Sequence, residues 1–471
     1  MPPSPPPFTV HEAVEGAGFG PFQLLVGALC GFAWMADSME IMLTAILPSA
    51  FACEWGIGVV EQAMGSTCLF LGMTVGSPLW GWMCDRYGRK TGLVVSSTLG
   101  CLLGCATAFS TSFTQFIVAR SLVGASLGGV TQSTTLLTEF LPTAQRARGV
   151  LTLQVFFSAG GALGAILAYF VMPAWGWRAL VLLSSIPLGI FALACTWLPE
   201  SPRFYISKKN SDKAMEVLET VYRMNGKKLP KGDLIAEEAS ETRGNILALF
   251  HPKVLRTTLL VWVVWILAGF GLIGVILYTP AILRNTAQCT EANEALTSYH
   301  LNVTSSPTSE SLTCVPMTSD DYLDLITTSF SEFPGLLLVF LIIDRQGRKF
   351  TMMLQAAVFA AASFVMAIPC LPRFAVVSLI FIARAVIVGL YQTSFIYTPE
   401  VYPTTLRATG LGIGAMVGRL GAMFSPTIAQ ILLSASPSLA SSIYGCAGVA
   451  GAVAAAFLPI ETSGRQLTGS L

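Results

Sequence analysis

Asp37, Glu40 and Arg419 stand inside otherwise apolar runs, and their types and spacing set the chemistry open to this chain. Asp37 and Glu40 lie in Met35-Ala36-Asp37-Ser38-Met39-Glu40, three residues apart, so on a helix they share one face. Arg419 lies in a later run, beside Leu420 and Gly421. A charge near mid-bilayer costs about 2.5–3.5 kcal/mol on insertion scales, so it faces a wet cavity or a partner of opposite sign. Two carboxylates can hold a cation or take up a proton, and a guanidinium can hold a carboxylate by two parallel hydrogen bonds. Structural pairing is the alternative: Asp37 or Glu40 to Arg120 or Arg384, the other arginines inside apolar runs, or Arg419 to either acid across a shared space. Tyr278, Tyr391 and Tyr397 offer an aromatic face and a hydroxyl to a pocket, although aromatic residues in apolar runs serve packing equally well.

These residues need helices in a bilayer to hold them. The chain is 53% hydrophobic and 11% charged, with mean hydropathy +0.67, whereas a soluble domain carries about 25% charged residues. Apolar runs close to the ~20 residues that span hydrocarbon place helices at 22–50, 62–84, 91–110, 113–136, 148–172, 178–198, 257–283, 322–343, 350–370, 374–398, 408–433 and 439–459. The expected fold is all-α and integral to the membrane, with twelve transmembrane helices in two six-helix pseudo-repeats. The first helix is long enough to imply tilt or a break around Pro48.

Charge gives the orientation. Of 27 Lys and Arg, 21 fall on one side of this segmentation, three on the other and three inside helices. Positive charge is retained in the cytosol, which gives a cytoplasmic N-terminal segment 1–21, a first half 22–199, a cytoplasmic linker 200–256, a second half 257–460 with an outer loop 284–321, and a cytoplasmic tail 461–471. The seven-residue Pro-rich start lacks a basic region followed by a cleavage site, so no removable signal is expected; residues 8–16 suit a short helix lying on the membrane face. Most of the eleven cysteines fall in helices as small apolar fillers. Cys53, Cys289 and Cys314 map to the outer side, where a Cys289–Cys314 disulfide is expected, with free thiols or a paired Cys53 as the alternative. The same loop carries the glycosylation acceptor Asn302-Val303-Thr304.

The basic loops repeat. Asp85-Arg86-Tyr87-Gly88-Arg89-Lys90 returns as Asp344-Arg345-Gln346-Gly347-Arg348-Lys349, and the pattern E-x-x-P-T-x-x-R-A-x-G that starts at Glu139 and contains Arg146 returns from Glu400 with Arg407. Pro199-Glu200 has a looser partner in Pro459-Ile460-Glu461. Three pairs in the same order, each about 260 residues apart, indicate duplication. Asp85 falls at a helix C-terminus, where a carboxylate is disfavoured without a cationic or N–H partner. Arg146, Arg148 and the amino end of the helix after Arg407 are candidates, and Gly88 and Gly347 permit the tight turns. With Arg203, these groups could form a charge network that clamps the two halves when the cytoplasmic side is shut; the alternative is topology signal and solvated loop charge.

The duplicated loops resemble the cytoplasmic signature of the major facilitator superfamily, and Pro199-Glu200-Ser201-Pro202-Arg203 resembles the matching motif of sugar porters and organic-ion transporters. Gly18-Phe19-Gly20-Pro21-Phe22-Gln23 and the Asp37–Glu40 segment resemble the synaptic-vesicle-two-related branch, the SVOP/SVOP-like group; the outer loop is too short for the large luminal domain of the vesicle glycoproteins. One departure is Phe340, standing where the first copy has Gly81, which puts close helix packing there in doubt. In related organic-anion transporters an arginine within Arg-Leu-Gly helps to bind anions, which the resemblance implies for Arg419.

The resemblance implies a secondary transporter of a small organic ion, working by alternating access, with proton coupling through Asp37 or Glu40 as an option. The rival is a non-transporting protein of the same fold, acting as a receptor or vesicle-trafficking partner; vesicle and plasma membrane are both open. His11, His251 and His300 are scattered, and neither a Walker loop nor a C-x-x-C motif is present. No enzyme activity, metal, cofactor or nucleic-acid partner is expected.

Overall fold

The computed structural model describes residues 7–230, 232–235, 246–299, 317–403 and 406–462, with 147, 284–299 and 408 described by backbone alone. Asn302 and Cys314, and the Cys289 side chain, lie outside the described residues. Among the described residues, ten helical stretches are long and apolar enough to cross a membrane. One of them, Thr143–Cys195, is broken at Gly176 (φ 73°) and gives two crossings. Val59–Tyr87, made less apolar by Glu61, Asp85 and Arg86 at its ends, is the twelfth.

Of the two options left open near Pro48, tilt or a break, the break is absent, and the first span runs unbroken from Pro21 to Trp55. Proline removes one N–H and orphans the carbonyl four residues back, here that of Thr44. Ser66 Oγ of the second span donates to that carbonyl at 3.4 Å, the kind of repair by a neighbouring helix that membrane spans require. The seventh span continues to Tyr299, into sequence assigned above to the outer loop.

Small residues let the spans approach closely, since hydrocarbon gives helices no hydrophobic reason to associate. A Cβ added at Gly72 or Gly76 of the second span would lie 2.1 Å from the Ser121 or Ala125 carbonyl of the fourth, and one at Gly335 of the eighth 2.3 Å from the Ala385 carbonyl of the tenth. The repeat thus conserves this contact, but away from Gly81. That glycine has room for a side chain, and Phe340 is exposed at the rim.

The described part of the linker is structured, and it holds the N-terminal helix. Phe8–Thr9 pairs in parallel with Leu234–Ile235. Helix Val10–Ala17 starts in a reciprocal cap between Thr9 and Glu12, and it buries Val10, Ala13, Val14 and Ala17. Val10, Ala13 and Val14 pack with Phe8, Ala214, Leu218 and Leu234 in one apolar cluster. This corrects the expectation of a helix on the membrane face: its apolar stripe is covered by linker helix Ser211–Met224. Tyr222 Oη donates to the Ala13 carbonyl at 2.8 Å. Asn225 accepts from the Phe22 N–H at 3.1 Å and donates to Gln23 Oε1 at 2.8 Å, fixing the start of the first span. Glu15 reaches the loop after the fourth span, accepting from the N–H and hydroxyl of Thr143.

Cys53 and Cys370, at the ends of spans opposite the basic loops, are disulfide-bonded, and seven other cysteines are free thiols. Cys53 is the alternative the sequence left open. Cys370 escaped notice because it fell inside the expected ninth helix, which in fact ends at Met366.

Candidate functional site

On the basic face each half ties one charge knot, and the two have the same construction. In the first, Arg89 meets Asp85 at 2.7 Å and Glu139 at 3.5 Å. Gly88 (φ 108°) turns the chain so that the Glu200 carboxylate accepts from the N–H groups of Arg89 (2.8 Å), Lys90 (3.1 Å) and Ser201 (2.9 Å). In the second, Arg348 meets Asp344 and Glu400, both at 3.1 Å. Gly347 (φ 87°) turns the chain, and Glu461 accepts from the N–H groups of Arg348 (2.8 Å) and Lys349 (3.0 Å). Glu200 and Glu461 therefore cap the third and ninth spans, satisfying orphan donors at the positive end of each helix dipole. A Cβ at Gly88 would lie 2.1 Å from Glu200, and one at Gly347 2.6 Å from Glu461, so only glycine admits the cap. Burial pushes the Glu200 carboxyl above its ordinary range, against the pull of the Ser201, Lys90 and Arg89 donors.

These positions differ from the expected clamp. Asp85 pairs with Arg89 of its own motif, because residues four apart on a helical path meet directly, whereas Arg146 donates to the Leu141 carbonyl at 3.3 Å. Every ion pair seen among the described residues joins groups of one half. Arg86 lies over the Trp82 and Tyr87 rings, Arg345 is exposed, and Arg203 Nε and two nitrogens of Arg407 are buried without hydrogen-bond partners.

Deeper in the bundle the charges sort into paired and unpaired. Arg120 of the fourth span pairs with the Glu40 carboxylate and donates to the Glu40 carbonyl at 3.0 Å, both side chains being nearly inaccessible. Of the partners the sequence allowed, Arg120 is the one found. Arg384 of the tenth span pairs with Glu332 of the eighth at 2.8 Å, also fully buried. Glu332 was missed, although an acid inside an apolar run is the same signal that marked Asp37.

Asp37 has no ion pair within 4.0 Å and its Oδ1 is buried without a partner. It feels the charge of Arg419, and Tyr391 feels both. Arg419 itself crosses between halves to donate to Ser77 Oγ of the second span. Trp265, Tyr391 and Phe395 pack edge to face with centroids 4.7–5.4 Å apart. Phe395 and Gln392 line a narrow cavity together with Trp34, Thr134 and Gln154 of the first half. Three expected residues, Asp37, Arg419 and Tyr391, thus share one region where the halves meet, whereas Glu40 is buried inside the first half with Arg120. Tyr278 does not join them: it is bonded to Ser441 and packed on Tyr444 inside the second half. Tyr397 donates to the Ile460 carbonyl at 2.8 Å, near the Glu461 cap.

The description "Major Facilitator Superfamily" matches residues 24–306, more than half the chain, and "Sugar (and other) transporter" matches residues 317–469. The chain belongs to the Major Facilitator Superfamily. Within it, the SVOP-like branch is shown by relatives matched nearly end to end. The chain is 46% identical to svop-1 of Caenorhabditis elegans over 98% of its own length and 87% of the relative. It is 41% identical to the synaptic vesicle 2-related protein of Xenopus laevis (98% and 83%) and 35% identical to SVOPL of Homo sapiens (98% and 94%). Among solved structures, the xylose transporter XylE from E. coli in a partially occluded inward-open conformation matches with TM-score 0.73 and 17% identity, over 95% of this chain and 100% of that one. This superfamily member is a multi-pass membrane protein of transporter fold.

Proposed function

We propose that this superfamily member is a secondary transporter that carries a small organic ion by alternating access at the contact between its two halves. One observation carries the proposal: Asp37 lies unpaired and partly buried at that contact, opposite Arg419 and Tyr391 of the other half. An acid in a span persists where it has a partner or a task. Glu40 has a partner in Arg120, which leaves Asp37 as the site for a cationic group or a coupling proton and makes Glu40 the group that fixes it. Arg419 holds the counter-charge from the other half, and the two charge knots keep each half rigid as they rock. The termini and linker are assigned to the cytosol. The disulfide-bonded Cys53 and Cys370 lie on the face opposite the basic loops, as an oxidising outer or luminal side requires.

Uptake into proteoliposomes, screened over organic cations and anions with and without a pH gradient, tests this. Wild type should accumulate an organic ion, and Asp37→Asn should lose at least about tenfold in uptake, the scale of one charged contact. No uptake by folded protein would transfer the assignment to a non-transporting receptor. Equal uptake by Asp37→Asn at every pH would remove Asp37 from the site.

A further inference from the structure

A second unsatisfied polar group, of opposite sign, lies where the halves meet beside Ser38, the residue that follows Asp37. Arg384 is 1% exposed and directs Nε and Nη2 to Glu332, while its Nη1 and Glu332 Oε2 lack hydrogen-bond partners. Its guanidinium reaches the other half at Gly161. A Cβ added there would lie 3.5 Å from Arg384 Nη2 and 3.2 Å from Ser38 Oγ, so the absence of a side chain lets the arginine of the tenth span come against the first and fifth. Ser38 follows Asp37 directly, and Asp37 Oδ1 is the unpartnered acceptor. Tyr391, within electrostatic reach of Asp37, packs against Phe395 and Trp265 to form an aromatic wall.

A buried donor without an acceptor and a buried carboxylate oxygen without a donor each carry a desolvation penalty. A lone organic cation relieves only Asp37 and a lone anion only Arg384. A molecule carrying both charges relieves both, with its ammonium against aromatic faces that attract cations. Glu332 keeps the guanidinium neutralised when no ligand is bound, which weakens the hold on a simple anion. Building on the transport assignment, we propose that the substrate is a small zwitterion, its cationic end on Asp37 and the aromatic wall, its carboxylate on Arg384 Nη1 and Ser38 Oγ.

The test uses the full chain in nanodiscs for binding and in proteoliposomes for uptake. The probes are glycine betaine and its longer trimethylammonio-carboxylate homologues, choline as the cation, and tert-butylacetate as the carbon isostere that keeps only the anion. At least one zwitterion should bind about tenfold more tightly than choline and than tert-butylacetate, since each end adds a charged contact. Arg384→Gln should abolish the preference over choline. Because that change strands Glu332, the Glu332→Gln/Arg384→Gln double variant is measured too, and it should lose the same preference while keeping its unfolding temperature closer to wild type. Gly161→Val, which separates the guanidinium from Ser38, should reproduce the loss. Choline binding as tightly as every zwitterion, or a double variant that keeps the preference, overturns the zwitterion while leaving transport standing. Failure of every probe, together with failure of the wider uptake screen, overturns both.

Discussion

A buried ion pair is a poor source of stability but a severe liability when half of it is removed. That bears on Glu40–Arg120 and Glu332–Arg384, both sealed from solvent. Arg120→Gln alone should destabilise the folded protein by about 3–5 kcal/mol by stranding the acid. Glu40→Gln/Arg120→Gln should recover much of that loss in thermal unfolding followed by tryptophan fluorescence. A double variant as unstable as the single would mean that Glu40 depends on something other than Arg120. The sequence marked Asp37, Glu40 and Arg419 as costly in hydrocarbon, and the acid–arginine pairing was among its alternatives. It did not tell which acid stays unpaired. That follows from the crossing of the first and fourth spans, and residue types carry no information on the crossing. Glu332 was within reach of the same reasoning, as an acid inside an apolar run, and its partner Arg384 lies 52 positions away.

At the scale of elements, the two signature loops work as caps. Repetition identified them, and the glycine turns were legible, but the receptor of the turn was not: Glu200 and Glu461 lie more than a hundred residues from the amides they bind. The N-terminal helix was legible as a helix and misplaced, since its covering surface is another stretch of the linker rather than lipid. Its latch to Thr143 carries a pH signature. The hydroxyl and N–H of Thr143 hold the Glu15 carboxyl below its ordinary value of 4.5. A carboxylate with a lowered folded value adds stability that is fully present above 4.5 and disappears as pH falls through the lowered value. The protection of the Thr143 amide, taken relative to the intrinsic exchange rate at each pH, should therefore fall on acidification across that window. In Glu15→Gln it should already be low at neutral pH and lack the step. A Thr143 amide equally protected in both proteins at pH 7 would show the latch to be without consequence.

For the whole molecule, the distribution of charge matters more than its amount. Among the described residues acid–base pairs close within each half, and the contacts between halves are of another kind. They include Arg419 to Ser77, Gln430 to Ser66 at 3.3 Å, and the Leu151 side chain against Val339, Ile343 and Ile396. Such contacts can be remade without stranding an ion, as an interface that alternates between two arrangements requires. Twelve spans in two sixes were readable from hydropathy and repetition, whereas the assignment of the charge knots to one half each was not, because loop sequence does not say which neighbour an arginine faces. Pieces 1–240 and 241–471, expressed together, should co-purify and show the same unfolding temperature as the intact chain within a few degrees. Pieces that never associate would show that the linker is needed for more than covalent connection.

The same closure within the halves has a consequence for how the protein is made. By the time residue 235 has left the ribosome, the strand partner of Phe8, the covering helix of Val10–Ala17, the carboxylate that caps the third span and the arginine that neutralises Glu40 have all been synthesised. Nothing in that list waits for a residue of the second half, so the first six spans can finish folding during translation, with their buried charges already matched. The insertion machinery would then receive the second half as a separate task, beside a finished surface whose polar groups include Asp37, still unpartnered, and Ser77, which awaits Arg419.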